Sequence, residues 1–299
     1  MNKEIVPHSL EAWLLAARPK TLSGATVPVM TGAVLAYVHH SFSILPTLLC
    51  LLFAWLMQIN ANFINDLYDY KKGTDREDRL GPERACSQGW ISEKAMQKGI
   101  IITTICAILT GFGILYYGGV YMLPIGLACI LFAFFYTTGP YPLAYHGWGD
   151  VAVLVFFGLI PVGCTYYVQT GTYHTTIFMA SMACGLVIDT LLMINNYRDR
   201  EQDAISGKRT LVVRWGEATG YYLYIALGVL ACLSCAYFLT EERYWATILP
   251  LLYLPKHYLT AVEMRRIYKG KALNSILGRT SINILLFGIL LCAGLLLSM

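Results

Sequence analysis

Residues 44–69 read ILPTLLCLLFAWLMQINANFINDLYD. An apolar run long enough to cross a bilayer passes into an end rich in amides and acids: Asn62, Asn65, Asp66 and Asp69. About 20 helical residues span the ~30 Å hydrocarbon core. A carboxylate at the edge of that core is costly unless a cation, a proton or a substrate uses it. The stretch therefore predicts a membrane helix that ends in a chemical site. The apolar run 174–195 repeats the pattern, ending in Asn195-Asn196-Tyr197-Arg198-Asp199 and continuing to Asp203. Two such ends suggest one shared site.

The rest of the chain fits a membrane setting. Of its 299 residues, 57% are hydrophobic and 13% charged, with a mean hydropathy of +0.54; a soluble domain carries roughly 25% charged residues. Apolar stretches can be placed at 21–39, 44–65, 99–117, 119–137, 150–169, 174–195, 219–239, 244–262 and 277–298. The fold expected is all-α: a single domain over 1–299, a polytopic bundle of nine transmembrane helices around one central cavity open to the cytoplasmic side. Basic residues flanking spans stay on the cytoplasmic side. With the N-terminus inside, 21 of the 22 Lys and Arg residues fall on the inner side and only Arg243 falls outside. That places the C-terminus outside and the long charged loops, hence the chemistry, in the cytoplasm.

The net charge of +4 sits in loops beside hydrophobic spans, so topology explains it and nucleic-acid binding does not. Glu4, His8 and Glu11 interrupt any signal-peptide core near the N-terminus. Residues Ser9 to Leu15 read instead as a short amphipathic helix on the inner surface. Eight of the nine cysteines lie in expected spans and only Cys86 in a long loop, so no disulfide framework is expected. Cys232 and Cys235 are read as helix-packing residues.

At 3.6 residues per turn, Gln58, Asn62, Asn65, Asp66 and Asp69 share one arc. Asn196, Asp199 and Asp203 share another, with Asp189 seven residues before Asn196. Gly73 should end or bend the first helix, letting Asp75 return as a further acid. Hard oxygen donors without His or Cys favour Mg²⁺, which keeps several waters and binds through one or two carboxylates plus substrate phosphates. A diphosphate would complete such a site, and Lys72, Arg76, Arg79, Arg84, Lys208 and Arg209 are the cations to grip it. The competing reading, solvated ion pairs on an inner loop, is disfavoured by two clusters at matching depth, each trailed by basic residues.

At these residues the chain resembles the UbiA-type intramembrane prenyltransferases. The likeness covers nearly the whole chain and points to the menaquinone branch. It rests on Asn65 to Asp75, on Gly81-Pro82-Glu83-Arg84 and on Asn195 to Asp199 through Gly207-Lys208-Arg209-Thr210-Leu211. Arg18-Pro19-Lys20-Thr21-Leu22, Tyr136 to Pro142, Phe156-Phe157-Gly158 and Tyr166 to Gln169 add to it. The resemblance implies transfer of a polyprenyl group from polyprenyl diphosphate to 1,4-dihydroxy-2-naphthoate in the bacterial cytoplasmic (inner) membrane. Diphosphate and CO₂ would leave, giving demethylmenaquinone. It further implies that Asn65, Asp69, Asp199 and Asp203 hold Mg²⁺, with Asp66 and Asp75 as weaker additions. Arg18, Lys72, Lys208 and Arg209 would contact the diphosphate, and Arg84, Asn196 and Tyr136 would serve substrate binding. Where many members carry a Lys soon after the Tyr matched by Tyr136, this chain has Pro140 and Pro142, so no diphosphate contact is expected from that loop.

The allylic cation formed when the C–O bond ionises needs aromatic faces and shelter from water; Tyr136 and Tyr68 are the candidates. Asp189 lies about 15 Å deeper than Asp199 along a straight helix. It is read as pairing with a neighbouring hydroxyl or amide, with a role at the acceptor as the alternative. His146 and Asp150 are read as a helix-capping pair, and Asn60 as a packing amide. Two other functions compete: prenyl transfer to 4-hydroxybenzoate or another aromatic acceptor, and cation-coupled transport. Transport sites lie near the midplane, whereas both acid clusters here sit at one membrane face.

Overall fold

In hydrocarbon the backbone has no water to bond, so an apolar run must close its hydrogen bonds within itself. The structure, a computed structural model, describes residues 5–74 and 79–299, and these form helices and connecting turns without a strand. We number the main helices α1 (Leu10–Ala17), α2 (Leu22–Val38), α3 (Ile44–Lys71), α4 (Glu93–Gly118), α5 (Met122–Thr137), α6 (Gly149–Thr170) and α7 (Thr175–Ile205). After these come α8 (Glu217–Cys235), α9 (Tyr244–Leu251), α10 (Leu254–Ile267) and α11 (Asn274–Leu297).

Among the described residues, seven helices are long and apolar enough to cross a membrane: Leu10–Val38, Ile44–Lys71, Glu93–Gly118, Gly149–Thr170, Thr175–Ile205, Glu217–Glu241 and Lys271–Leu297. The chain is an integral membrane protein. Two of the nine expected spans take another form. The region 119–137 yields α5, 16 residues long and about 24 Å at 1.5 Å per residue. The region 244–262 is broken between α9 and α10, because Pro255 has no N–H to donate back one turn. His257 stitches this break: its ring stacks on Tyr224 and Tyr253 and bonds the Tyr253 hydroxyl (2.8 Å) and the Tyr224 carbonyl (3.0 Å).

Ile101, Ile105, Leu109, Phe112 and Tyr116 recur at helical spacing on α4 and lie exposed, as a lipid-facing stripe requires. The inward faces assemble two main cores. One joins α7 to α2, α6, α8, α10 and α11; the other joins α1, α3 and α4 with Ala85, Cys86 and Ile91 of the loop after α3. The expected N-terminal amphipathic helix is α1. Ser9 caps it by accepting the Ala12 N–H (3.2 Å), Ala12 and Ala16 point inward, and Leu10, Leu14 and Leu15 are exposed. As expected, Asn60 is a packing amide, bonded to Thr103 and Thr104 of α4 at 2.9 Å each. All nine cysteines are thiols.

Small residues let α6 and α7 touch backbone to backbone. A Cβ on Gly158 would stand 2.6 Å from the Ser181 carbonyl oxygen and 2.8 Å from the Gly185 Cα. Gly158→Ala is expected to force these helices apart at a cost of about 2 kcal/mol, within the range for overpacking. Thermal unfolding in detergent measures it, and an unchanged melting temperature would show that the contact relaxes freely. The surface of α6 that meets Gly185, Leu154 and Gly158, lies within a π turn over Leu154–Leu159, a departure from α-helical pitch often found at functional sites.

Candidate active site

A cavity of about 350 Å³ opens among α2, α3, α5, α6 and α7. Its body is apolar, with Phe53, Met57, Ile125, Phe132, Phe156 and Phe157 in the wall. Its other lining residues include a polar set: Arg18, Gln58, Asn62, Asn65, Tyr136 and Asn195. Gln58 binds Thr21 through its Nε2 (3.1 Å), while its buried Oε1 has no hydrogen-bond partner among the described residues. Arg18, expected as a substrate contact, lines the cavity from the turn between α1 and α2. Its φ is +53°, a conformation uncommon for a residue with a Cβ and frequent at functional sites. Asn62 holds that turn by donating to the Ala17 carbonyl (2.9 Å) and the Thr21 hydroxyl (3.1 Å).

The first acid motif divides its residues between the cavity and a loop. Asn65 faces the cavity and accepts a hydrogen bond from Thr137 at the end of α5. Asp69 is buried and accepts from Arg84 Nη2 at 3.2 Å. Asp66, expected as an auxiliary metal ligand, has another task. Its two oxygens accept the backbone N–H groups of Ala85 (2.9 Å) and Cys86 (3.0 Å), pinning the loop after α3. As expected, α3 stops before Gly73, whose φ is +66°. Asp75 and Arg76 lie outside the described residues.

The second motif continues the site from α7. Arg198 donates twice to Asp199 (2.7 and 2.6 Å) and once to Asn274 (2.9 Å), which in turn bonds the Leu80 carbonyl (2.8 Å). Asp203 pairs with Lys208 at 3.5 Å. The cavity-lining asparagine is Asn195, one position from the expected Asn196, which is buried beside it. Arg209 is exposed, and its backbone N–H bonds the Tyr145 carbonyl at 2.9 Å.

Electrostatics draw the two motifs together at their cations. Burial works against the charge of Lys208, but Asp69, Asp203, Tyr145 and Asp199 outweigh it and raise its pKa above the ordinary lysine value. Lys72 falls below that value, chiefly through burial and further through repulsion by Lys208, while Asp69 opposes the fall. Lys72 donates to the Thr137 carbonyl at 2.5 Å. Tyr136 lines the cavity as expected, and its hydroxyl stands 3.4 Å from the position of a Cβ on Gly149.

Three other expectations change. Asp150 is not a cap, since Trp148 holds the N-cap position of α6 with no side-chain bond. The Oδ1 atoms of Asp150 and Asp189 are buried with no hydrogen-bond partner among the described residues; the hydroxyl or amide expected beside Asp189 does not meet that oxygen. His146 packs its ring on Tyr141, with 3.7 Å between centroids.

The donors fit a hard, hydrated cation better than a closed protein cage. Asn65, Asp69, Asp199 and Asp203 offer oxygen only, and no group of three or more His, Cys, Asp or Glu among the described residues converges tightly enough to hold a metal by itself. Mg²⁺ tolerates this, because waters and substrate phosphates complete its shell.

The profile of the UbiA prenyltransferase family matches residues 25–280. The chain belongs to this family. Among UbiA relatives, the 1,4-dihydroxy-2-naphthoate octaprenyltransferase of Haemophilus influenzae is 37% identical over 99% of this chain and 99% of its own. The enzyme of the same description from Escherichia coli is 36% identical over 96% of each chain. Among solved structures, a UbiA homolog from Archaeoglobus fulgidus bound to GPP and Mg²⁺ shares the fold with a TM-score of 0.70 at 18% identity, covering 95% of this chain and 99% of that one.

Proposed function

We propose that the protein transfers a polyprenyl group from polyprenyl diphosphate to 1,4-dihydroxy-2-naphthoate, the prenylation step of menaquinone biosynthesis. The observation that carries this reading is the end-to-end similarity to relatives described by that reaction. The cavity supports it: an apolar body for an isoprenoid joins a polar wall beside two acid motifs. A volume of about 350 Å³ is near the lower limit for sites of drug-sized ligands, roughly 300 Å³. The cavity therefore holds the reacting end of the chain and leaves the tail to lipid.

In this reading the whole chain, 1–299, is one domain in the bacterial cytoplasmic membrane, with α5 and the α9–α10 pair completing nine crossings. The N-terminus and the cavity mouth face the cytoplasm and the C-terminus lies outside. Asn65, Asp69, Asp199 and Asp203 hold Mg²⁺, which supplies counter-charge to the diphosphate as the allylic C–O bond breaks. Arg18, Lys72 and Lys208 bind the leaving oxygens, with Arg84, Asn196 and Arg209 around them. The rings of Tyr136, Phe156 and Phe157 face the allylic cation, and the apolar wall keeps water from it. The naphthoate ring then forms the C–C bond. Its carboxylate leaves as CO₂ with the bonding pair returned to the ring, so the lipid leaves at the hydroquinone level of demethylmenaquinone.

Purified protein supplied with Mg²⁺, a polyprenyl diphosphate and either dihydroxynaphthoate or 4-hydroxybenzoate tests this directly. Mass spectrometry should find the prenylated, decarboxylated naphthalene and no hydroxybenzoate product, and chelation should stop the reaction until Mg²⁺ is restored. Product from hydroxybenzoate alone would move the assignment to the other acceptor.

A further inference from the structure

The short helix Leu143–His146, between α5 and α6, carries no Lys or Arg, yet it touches the basic residues that follow both acid motifs. The Tyr145 carbonyl accepts the Arg209 N–H (2.9 Å), and the His146 carbonyl accepts from Arg214 Nη2 (2.7 Å). Gly147 lies so close to the loop after α7 that a Cβ would stand 2.7 Å from the Arg209 carbonyl oxygen, and its φ of +79° suits only glycine well. On the other side, Thr137 accepts Lys72 at its carbonyl and donates to Asn65. The ring of Tyr145 meets two cations: Lys72 Nζ is 4.4 Å and Lys208 Nζ 5.3 Å from its centroid.

Two ammonium groups repel when drawn together, and long lysine side chains lose rotamer freedom when fixed. An aromatic face offsets both effects, because its electron-rich surface attracts cations. We propose that Tyr145 is a positioning residue for the donor: its ring holds Lys72 and Lys208 beside each other, so that both acid motifs present one preformed cationic seat to the diphosphate. The inference rests on the reading that these two lysines grip the diphosphate. It also explains how a loop without a basic residue serves that end of the site. Its contribution is geometry rather than charge. Asp69 and Asp203 balance the lysines before the donor arrives, and the diphosphate completes the charge balance afterwards.

The full chain in detergent allows the test. Affinity for inorganic diphosphate in the presence of Mg²⁺ is measured by titration calorimetry, alongside KM for the prenyl donor and for the acceptor. Tyr145→Leu is expected to weaken inorganic diphosphate and raise donor KM by roughly ten-fold, as the loss of two such contacts implies, with acceptor KM unchanged. Tyr145→Phe keeps the ring and should restore both constants to within about two-fold of the original. In Tyr145→Leu, Lys72→Ala should cost less than it does alone, the mark of coupled residues. Unchanged diphosphate affinity in Tyr145→Leu, or equal damage from Tyr145→Phe, overturns the proposal. If Lys72→Ala and Lys208→Ala also leave diphosphate affinity intact, the assignment of the lysines falls with it. If they weaken it while Tyr145→Leu does not, only the role of Tyr145 falls.

Discussion

Asp69→Asn is expected to reduce prenyl transfer by roughly 10³-fold, the scale on which removing one preorganised transition-state contact acts. The substitution keeps the shape of the side chain and removes its charge. In the structure that charge faces three cations: Arg84 at 3.2 Å, Lys72 and Lys208. On the proposed reading, loss of one carboxylate of the Mg²⁺ set then coincides with an excess of positive charge beside it. The measurement is turnover across a Mg²⁺ series, with unfolding temperature recorded in parallel, because Arg84 and Asp69 are a buried pair whose disruption also destabilises. Full turnover at ordinary Mg²⁺ would remove Asp69 from the site. A loss of activity matched by a loss of folded protein would assign it to the loop instead.

The second large effect is on stability. Asp66→Ala removes the acceptors of two buried backbone N–H groups, those of Ala85 and Cys86. Each orphaned group costs about 1–3 kcal/mol, so docking of the loop onto α3 should weaken by about 4 kcal/mol. Cys86 reports on this directly, since its thiol is buried beside the anchored N–H. A polar maleimide, with labelled peptides identified by mass, should modify Cys86 rapidly in Asp66→Ala and slowly in the parent. Equal protection in both would show that the two bonds do not hold the loop. The active fraction that remains should keep its ordinary Mg²⁺ requirement, which separates a loop anchor from a metal ligand.

Periodicity in the sequence carried the helices and the site unequally. The long apolar runs were legible because hydrocarbon leaves the backbone no alternative to a helix, and the acid ends of α3 and α7 were legible because charge is scarce around them. The shortness of α5 and the break after α9 were less visible, since composition marks apolar length but not where a proline interrupts it. Within the site, spacing placed Asn65, Asp66 and Asp69 on one arc. It could not reveal that the chain returns at Ala85 and Cys86 to claim Asp66, because that depends on the path of a loop. Asn195 lines the cavity and Asn196 does not, because neighbours on a helix project about 100° apart and the spacing to Asp199 and Asp203 singled out only Asn196. Asp150 resembled a cap only because helix starts are uncertain by a residue or two. Tyr145 carried no signal at all. A tyrosine between prolines and a His is ordinary until two lysines from distant segments are seen beside its ring.

The π turn at Leu154–Leu159 has a genetic dimension. A π turn accommodates one residue more than an α-helix of the same rise would, and so behaves as a tolerated single-codon insertion. It separates the first stretch of α6, Gly149–Val153, from Ile160–Thr170, which crosses α2 at Gly32. Excising one residue from the turn would swing one half by about 100° relative to the other. Every cavity residue on one side of the turn would then lose its present direction relative to those on the other.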